Sequence, residues 1–215
     1  MKPKLLDLYC KAGGSSMGYH RAGFEVTGVD NIYQKRYPFN FIQADAVDIL
    51  KDHTFLRKFD VIAASPPCQT HSITKFLTKA QGGALSNRKN MIPATREGLM
   101  MANRPWIMEN VEYAPLKNPI LVCGSAFGLK VRRHRIFETG EMSLVGTSCY
   151  HKEQGRVVGV YGQLRDSIPG GGKTAETVEE AQEAMRIDWM IWSELVEAIP
   201  PAYTEFLGKQ IIQKL

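Results

Sequence analysis

The side chain best placed to act as a nucleophile is the thiol of Cys68. It follows a buried apolar stretch, residues 59–64, and a turn that two prolines make stiff in the segment Ser65–Gln69. A thiol attacks readily only in an electropositive neighbourhood, because its ordinary pKa is about 8.5. The position of Cys68 therefore predicts either a nucleophile or a buried structural cysteine, and its surroundings must decide between the two.

Charged residues further along the chain could supply such surroundings. Glu109 ends an apolar stretch, residues 106–111, that is typical of the next strand. If the segment around Arg133 and Arg135 is extended, their alternation places both guanidinium groups on one face. We interpret Arg132 as part of a solvated surface. A carboxylate and two guanidinium groups at one edge of a sheet can stabilise charge that develops on a bound substrate.

A glycine-rich turn near the start of the chain marks a second candidate site. Asp7 lies in the first predicted strand, Gly13 and Gly14 follow it, and Asp30 ends the second strand. Such a turn lets a ligand approach the backbone, while the acidic residue can bond ribose hydroxyls. Asp45, after the third strand, could accept from an adenine amino group. Several kinds of nucleotide site and a plain structural turn share this pattern, but the missing GxGxxG counts against a dinucleotide.

Strands and helices alternate along the first two thirds of the chain. We predict strands at 4–10, 24–30, 41–45, 59–64 and 106–111, and helices at 17–22, 92–102, 174–185, 190–198 and 203–215. Ser15 or Ser16 is expected to cap the first helix, and Pro200–Pro201 to end the fourth. The alternation predicts an α/β fold whose mostly parallel sheet is flanked by helices.

Composition narrows the class of protein. A chain of 215 residues suits one principal domain, and its net charge of +5 favours a polyanionic partner. No apolar run reaches the roughly 18 residues of a membrane span, and the early Asp7 argues against a signal peptide. The four cysteines show no CxxC pair and no metal-ligand spacing, so we expect a reduced, cytoplasmic setting and no metal. The three besides Cys68 are interpreted as small buried or surface residues.

Several stretches together resemble the DNA (cytosine-5)-methyltransferase family. They are Asp7–Phe24, Ser65–Gln69, Glu109–Val111 and Arg133–Arg135, in the family's order, with Ala198–Pro201 similar to its last motif. The resemblance implies a Rossmann-like, S-adenosylmethionine-dependent methyltransferase fold. It also implies a small phage-like or bacterial member of the family, with a reduced target-recognition region.

The resemblance further implies a role for each catalytic residue. Cys68 would add to C6 of a flipped-out cytosine, Glu109 would protonate or hydrogen-bond N3, and Arg135 would hold O2 while Arg133 organises the site. C5 would then take the methyl group, leaving S-adenosylhomocysteine, and loss of the C5 proton would release the thiol. Flipping is needed because the base is unreachable inside a duplex. Cofactor contacts are expected from Asp7, Tyr9 (facing the sulfonium), Gly13, Gly14, Asp30, Asp45 and Pro67.

Three positions depart from the family's pattern. Lys11 stands where the family usually has a glycine, Val131 replaces a common glutamine, and Glu197 stands where an asparagine is frequent. These departures concern the cofactor contacts more than the catalytic residues. Lys11 also raises the question of whether the methyl donor is the ordinary one.

Basic residues flank the proposed chemistry. The segment 69–96 contains five and the segment 127–137 contains four, and neither contains an acidic residue. Such runs suit phosphate contacts, whose affinity falls steeply with salt. We expect double-stranded DNA to be contacted by Ser72, Lys75, Lys79, Arg88, Lys89, Arg156 and Arg165.

The predicted domain organisation leaves little room for reading a sequence. Residues 1–142 and 186–215 would form the catalytic, cofactor-binding domain, and 143–185 the reduced target-recognition region. Base reading is expected within 149–173. So small a recognition region predicts a target of about two to four base pairs. We also expect the protein to be a monomer.

Other functions share parts of this pattern. An RNA (transfer RNA) cytosine-5 methyltransferase would use the same core, and a catalytically silent DNA-binding homologue could retain the fold. Retention of Cys68 with Glu109, Arg133 and Arg135 argues against the silent protein. An adenine amino-methyltransferase is disfavoured, because the sequence before Gln69 is not its Asn/Asp-Pro-Pro-aromatic signature. Restriction-modification, an orphan methylase and phage genome protection all fit.

Overall fold

A mostly parallel sheet organises the chain, as the alternation of elements predicted. The computed structural model describes residues 1–67, 90–165 and 174–215. In these residues the strands are β1 (Lys4–Leu8), β2 (Glu25–Asp30), β3 (Asn40–Gln43), β4 (Val61–Ala64), β5 (Trp106–Asn110), β6 (Ile120–Val122) and β7 (Arg135–Gly140). Their order across the sheet is β3-β2-β1-β4-β5-β7-β6. The first five are parallel to one another, and β7 runs antiparallel to both β5 and β6.

Helices cover both faces of this sheet. They are α1 (Gly14–Ala22), α2 (Ala46–Lys51), α3 (His53–Leu56), α4 (Ile92–Met101), α5 (Val178–Met185), α6 (Trp192–Leu195) and α7 (Pro201–Ile212), with a 3-10 turn at Gly124–Phe127. Because side chains alternate across a strand, Leu5 packs with Tyr203 of α7 on one face. Leu6 packs with Leu50 and Leu99 of α2 and α4 on the other.

The prediction that Ser15 or Ser16 caps the first helix was wrong. Gly13 is the N-cap residue of α1, with φ 84°, and no side chain caps the helix. This left-handed turn favours glycine. Ser16 is buried within the helix, and its hydroxyl donates to Asp7 Oδ2 at 2.5 Å.

The C-terminal elements also differ from the sequence-based boundaries. Helix α5 begins only at Val178, because the Thr177 side chain accepts from the Glu180 amide as an N-cap. The predicted helix 190–198 is a single short turn, α6. Pro201 is the first residue of α7, where the missing N–H of a proline costs nothing.

The last helix packs tightly against the first. A Cβ on Gly18 of α1 would overlap Thr204 Oγ1, and one on Gly208 of α7 would lie 2.7 Å from Ala22 Cβ. Thr204 Oγ1 also donates to the Ser15 carbonyl at 2.8 Å. Helix α7 therefore packs directly against α1, including its first turn.

The described part of the segment 143–185 contributes to the same hydrophobic core as the rest of the chain. Val158, Val160 and Ala184 belong to the same core cluster as Leu5 and Tyr203. The boundaries of a recognition region at 143 and 185 therefore stay a prediction. Among the described residues, no helix combines the length and the apolar character that crossing a membrane requires.

Candidate active site

A cavity of about 560 Å³ lies at the carboxyl ends of β1, β2, β4 and β5. Strand order reverses between β1 and β4, and ligands of open α/β sheets bind at such a switch point. Six of the predicted cofactor residues line it, namely Asp7, Tyr9, Gly14, Asp30, Asp45 and Pro67. Gly13 does not: its left-handed backbone makes the turn, and a Cβ there would lie 3.0 Å from Tyr37 and Pro38 side-chain atoms.

Asp7 is the most deeply buried acid of the cavity. Its side chain is fully buried, and Oδ1 has no hydrogen-bond partner among the described residues. Burial raises the pKa of Asp7 to about 7, with the charges of Glu109 and Asp30 adding to the effect and the Ser16 hydrogen bond opposing it. The described residues thus leave a buried carboxyl oxygen beside the cavity without a hydrogen-bond partner, which is uncommon in folded proteins.

The other predicted cofactor residues are held in place by local contacts. Asp30 accepts from the Lys11 and Ile32 amides, each at 3.1 Å. Asp45 is the N-cap of α2 and accepts from the Val47 amide at 2.7 Å. The Tyr9 hydroxyl lies 2.8 Å from Thr95 Oγ1. These contacts fix the side chains at the cavity wall before any ligand arrives.

Glu109 and Arg135 form an ion pair at the far end of the same cavity. Arg135 Nε lies 2.9 Å from Glu109 Oε1, and both residues line the cavity. The guanidinium is held from the other side, since its Nη1 donates to the His134 carbonyl at 2.8 Å. Burial raises the pKa of Glu109, although the charges of Arg135 and Arg133 and a hydrogen bond from Ser65 oppose this. A carboxyl with a raised pKa can hold a proton for donation.

The segment around Arg133 is not extended, so the condition under which Arg133 and Arg135 would share one face is not met. The backbone of Arg133 is left-handed, with φ 40°. Its Nε, Nη1 and Nη2 donate to the carbonyls of Ala198, Val160 and Val196 at 2.8, 2.8 and 2.6 Å. Arg133 therefore ties the segments of Val160 and Ala198 to the site, and its charge acts on Glu109.

The buried side chain of Asn110 holds the turn that precedes Cys68. Its Nδ2 donates to the Pro66 carbonyl at 2.9 Å, and Asn110 is 1% exposed. Cys68 itself lies outside the described residues. Of the other cysteines, Cys10 lines the cavity, but burial raises the pKa of its thiol, which disfavours the reactive thiolate.

Besides Arg133 and Arg135, two further residues of the basic runs are engaged within the fold. Arg96 makes a two-pronged pair with Glu138, at 2.8 and 2.7 Å, and also donates to the Pro115 carbonyl. Lys130 pairs with Glu183 at 2.6 Å. The buried Arg96 pair has a structural role that the acid-free local sequence did not reveal, because its partner lies 42 residues away.

The two arginines expected to read bases are also paired. Arg156 lies 2.8 Å from Glu180, and Arg165 pairs with Glu176. The remaining expected DNA contacts lie outside the described residues; they are Ser72, Lys75, Lys79, Arg88 and Lys89.

Two of the cysteines that were interpreted as small buried or surface residues lie in one cluster with two histidines. Cys123, His134, Cys149 and His151 come together, with their ligand atoms all within 4.8 Å of one another. Spacing along the chain concealed this group, because its members lie on three separate segments that meet beside β6 and β7.

Sheet order and the cavity at its switch point define a Rossmann-like methyltransferase fold. The chain belongs to the C-5 cytosine-specific DNA methylase family, whose model matches residues 3–118, more than half of the sequence.

Relatives of known sequence include three type II methyltransferases. M.FnuDI of Fusobacterium nucleatum is 37% identical over 76 residues, which are 32% of this chain and 22% of that protein. M.HgiDI of Herpetosiphon aurantiacus is 32% identical over 127 residues, 53% of this chain and 38% of that protein. M.HgiGI of the same organism is 29% identical over 123 residues, 53% of this chain and 94% of that protein. The chain thus spans well under half of the length of the first two.

Solved structures share the fold over almost the whole chain. A Spodoptera frugiperda DNMT2 mutant has a TM-score of 0.64 at 14% identity, covering 98% of this chain and 99% of that one. A putative DNA modification methyltransferase encoded within an E. coli prophage has a TM-score of 0.60 at 15% identity, with the same coverage. At these identities the likeness establishes the fold alone.

Proposed function

We propose that this protein is an S-adenosylmethionine-dependent DNA (cytosine-5)-methyltransferase that acts on a cytosine flipped out of duplex DNA. The observation that carries the proposal is the Glu109–Arg135 pair, which lines the same cavity as Asp7 and Asp30. The same cavity therefore contains two kinds of group. The carboxylates of Asp7 and Asp30 suit a cationic nucleoside, and the Glu109–Arg135 pair suits a polar ring.

The described residues fit S-adenosylmethionine. Asp7 offers an unpartnered buried oxygen, and Asp30 stands at the end of β2, where ribose hydroxyls bind in such folds. Tyr9 presents an aromatic ring at the wall, which suits a sulfonium. When bound, the cofactor supplies an electrophilic methyl group. The chain's residues orient it and separate it from bulk water.

The remaining residues activate the base. Cys68, which follows the turn held by Asn110, adds as a thiolate to C6, and the electrons of the C5–C6 double bond move toward N3. Glu109 donates its proton to N3, and Arg135 holds O2, so that charge is stabilised as it develops. C5 would take the methyl group that the cofactor supplies, and the sulfur–methyl bond would break to leave S-adenosylhomocysteine. Loss of the C5 proton to a base restores the C5–C6 double bond and expels the Cys68 thiolate, while N3 returns its proton to Glu109.

DNA would bind at the mouth of this cavity. The proposed contacts are the basic residues after Cys68, together with Arg156 and Arg165 once they exchange their glutamate partners for phosphate or base edges. The segment 143–185 would read a short target. We further propose that the protein acts as a monomer in the cytoplasm. Its biological role would be restriction-modification, orphan methylation or protection of a phage genome.

Methyl transfer from labelled S-adenosylmethionine to duplex DNA tests the proposal. The parent should label DNA, Cys68→Ser should lose at least about a thousandfold in rate, and Glu109→Gln about a hundredfold. Glu25→Gln, an exposed carboxylate at the start of β2, is the matched control and should retain full activity. Labelling of transfer RNA in place of DNA, or undiminished activity of Cys68→Ser, would contradict it. Bisulfite sequencing of methylated DNA then gives the target, and a long, strict target would rule out the short reader.

A further inference from the structure

Two cysteines and two histidines converge at the β6–β7 edge of the sheet, and none of them lines the cavity of the proposed chemistry. Cys123 directly follows β6, His134 directly precedes β7, and Cys149 and His151 belong to the segment after β7. Their ligand atoms lie within 4.8 Å of one another. Three separate stretches of chain therefore bring four side chains of metal-binding type to one point.

Three of the six distances between the ligand atoms of this group are close to those of a tetrahedral metal site. His151 Nε2 lies 3.2 Å from Cys123 Sγ and 3.2 Å from His134 Nε2, which in turn lies 3.4 Å from Cys149 Sγ. Zinc bonds of about 2.0–2.1 Å to nitrogen and 2.3 Å to sulfur place ligand atoms about 3.3 Å (N to N) and about 3.5 Å (N to S) apart around a tetrahedron. The contacts agree with those edges to within about 0.4 Å.

Hydrogen bonding alone accounts poorly for this arrangement. His134 Nδ1 faces Glu112 Oε2 at 3.2 Å, so the ring proton is best placed there, leaving a lone pair on Nε2. That Nε2 nevertheless meets both His151 Nε2 and Cys149 Sγ. His151 Nε2 likewise meets two partners and can donate to only one of them. Converging lone pairs are what a shared cation would satisfy.

Neighbouring groups complete the arrangement expected around a metal. The Glu112 carboxylate on His134 Nδ1 is the outer partner that orients metal-bound histidines. Ser125 Oγ lies 3.1 Å from Cys123 Sγ and also accepts from the Tyr150 amide at 2.9 Å. The Cys123 amide donates to Thr147 Oγ1 at 3.0 Å. The ligand side chains are thus held by contacts of their own.

We propose that Cys123, His134, Cys149 and His151 form a structural zinc site. Two thiolates and two imidazoles favour Zn²⁺, and four protein ligands leave no open position for catalysis. Binding needs no redox partner: Zn²⁺ displaces one proton from each thiol and forms two Zn–S and two Zn–N bonds. The ion would pin the segment 143–151 to the β6–β7 edge, one residue from Arg135. This proposal does not depend on the proposed methyl transfer.

Zinc content of the purified full chain tests the site directly. We expect about one zinc per chain by elemental analysis, retained through dialysis, and less than about one tenth of that in Cys149→Ser. Cys149 is exposed, so this variant should fold. The matched controls, Cys68→Ser and His53→Ala (an exposed histidine of α3), should keep their zinc. Cys68→Ser also separates this proposal from the catalytic one, because it should lose methyl transfer and retain the metal.

Cobalt provides a second measurement that does not rely on purification history. Co²⁺ added to metal-free parent protein should give the visible absorption of tetrahedral thiolate coordination, and Cys149→Ser should not. A chelator should lower the thermal midpoint of the parent and leave that of Cys149→Ser unchanged. Three results would overturn the proposal. The metal-free parent protein takes up neither zinc chloride nor Co²⁺, the parent and Cys149→Ser contain equal zinc, or a Cys123–Cys149 disulfide persists in protein purified with a reducing agent.

Discussion

Lys11 Nζ lies 3.6 Å from Glu197 Oε2, so two of the three departures from the family's pattern are partners in one ion pair. Both residues line the cavity, and each side chain is about half exposed (47% and 46%). The pair joins the turn after β1 to the segment before α7. Glu197 therefore offsets the positive charge of Lys11 at the wall of the cavity that is proposed to bind a cationic cofactor.

Replacing Glu197 should therefore weaken cofactor binding. Glu197→Gln leaves Lys11 uncompensated near a sulfonium and should raise the Kd for S-adenosylmethionine about threefold to tenfold, with little change in stability, because exposed pairs contribute about 1 kcal/mol or less. Lys11→Gly in the same chain should restore the Kd. Calorimetric titration of both variants measures this. An unchanged Kd in Glu197→Gln would show that the pair does not act on the cofactor.

Stability should fall as pH rises through the range in which Asp7 titrates. Burial raises the pKa of Asp7 to about 7 from an ordinary value of 3.8, so the native state keeps a proton that the unfolded chain has released. The free energy of unfolding then decreases from about pH 4 to about pH 7, by up to about 1.4 kcal/mol per pH unit. Asp7→Asn should lose this dependence, as measured by urea unfolding at several pH values. Asp48→Asn, an exposed carboxylate of α2, should keep the parent's slope.

Asn110 should be needed for catalysis without touching the reacting atoms. Asn110→Ala removes the buried bond to the Pro66 carbonyl, which costs about 1–3 kcal/mol, and should lower the methyl-transfer rate about tenfold to a hundredfold. The Kd for S-adenosylmethionine should stay within about twofold. Gln210→Ala is a fitting control, since that amide holds the Val145 backbone far from the cavity. Equal losses in rate and cofactor affinity would point to general unfolding instead.

The Arg96–Glu138 pair should matter for folding far more than for DNA binding. The side chains are only 13% and 5% exposed, so Arg96→Met would strand a buried carboxylate and cost about 3–5 kcal/mol. Adding Glu138→Gln should recover part of that loss. Lys209→Met breaks the exposed pair with Glu205 and should cost less than about 1 kcal/mol. Denaturant unfolding compares them, and similar costs for Arg96→Met and Lys209→Met would refute the structural role.

Local patterns in the sequence determined the five parallel strands and most of the cavity wall, but not the antiparallel strands β6 and β7. Strand and turn signals depend on neighbouring residues, and the carboxyl ends of parallel strands must meet at one edge. For that reason the amino-acid sequence by itself was enough to place Asp7, Asp30 and Glu109 together.

Contacts between distant residues were decided only by the tertiary structure. Arg133 was expected to share a face with Arg135 if their segment is extended, but its backbone is left-handed and it donates to the carbonyls of Val160 and Ala198. Three other contacts likewise join segments that have no fixed spacing along the chain: the Arg96–Glu138 pair, the Lys11–Glu197 pair and the Cys123 cluster. Spacing along a chain encodes which residues share a strand or a turn. Which charges and thiols meet depends on how β7 and α7 pack back onto the sheet, and that is settled by the fold as a whole.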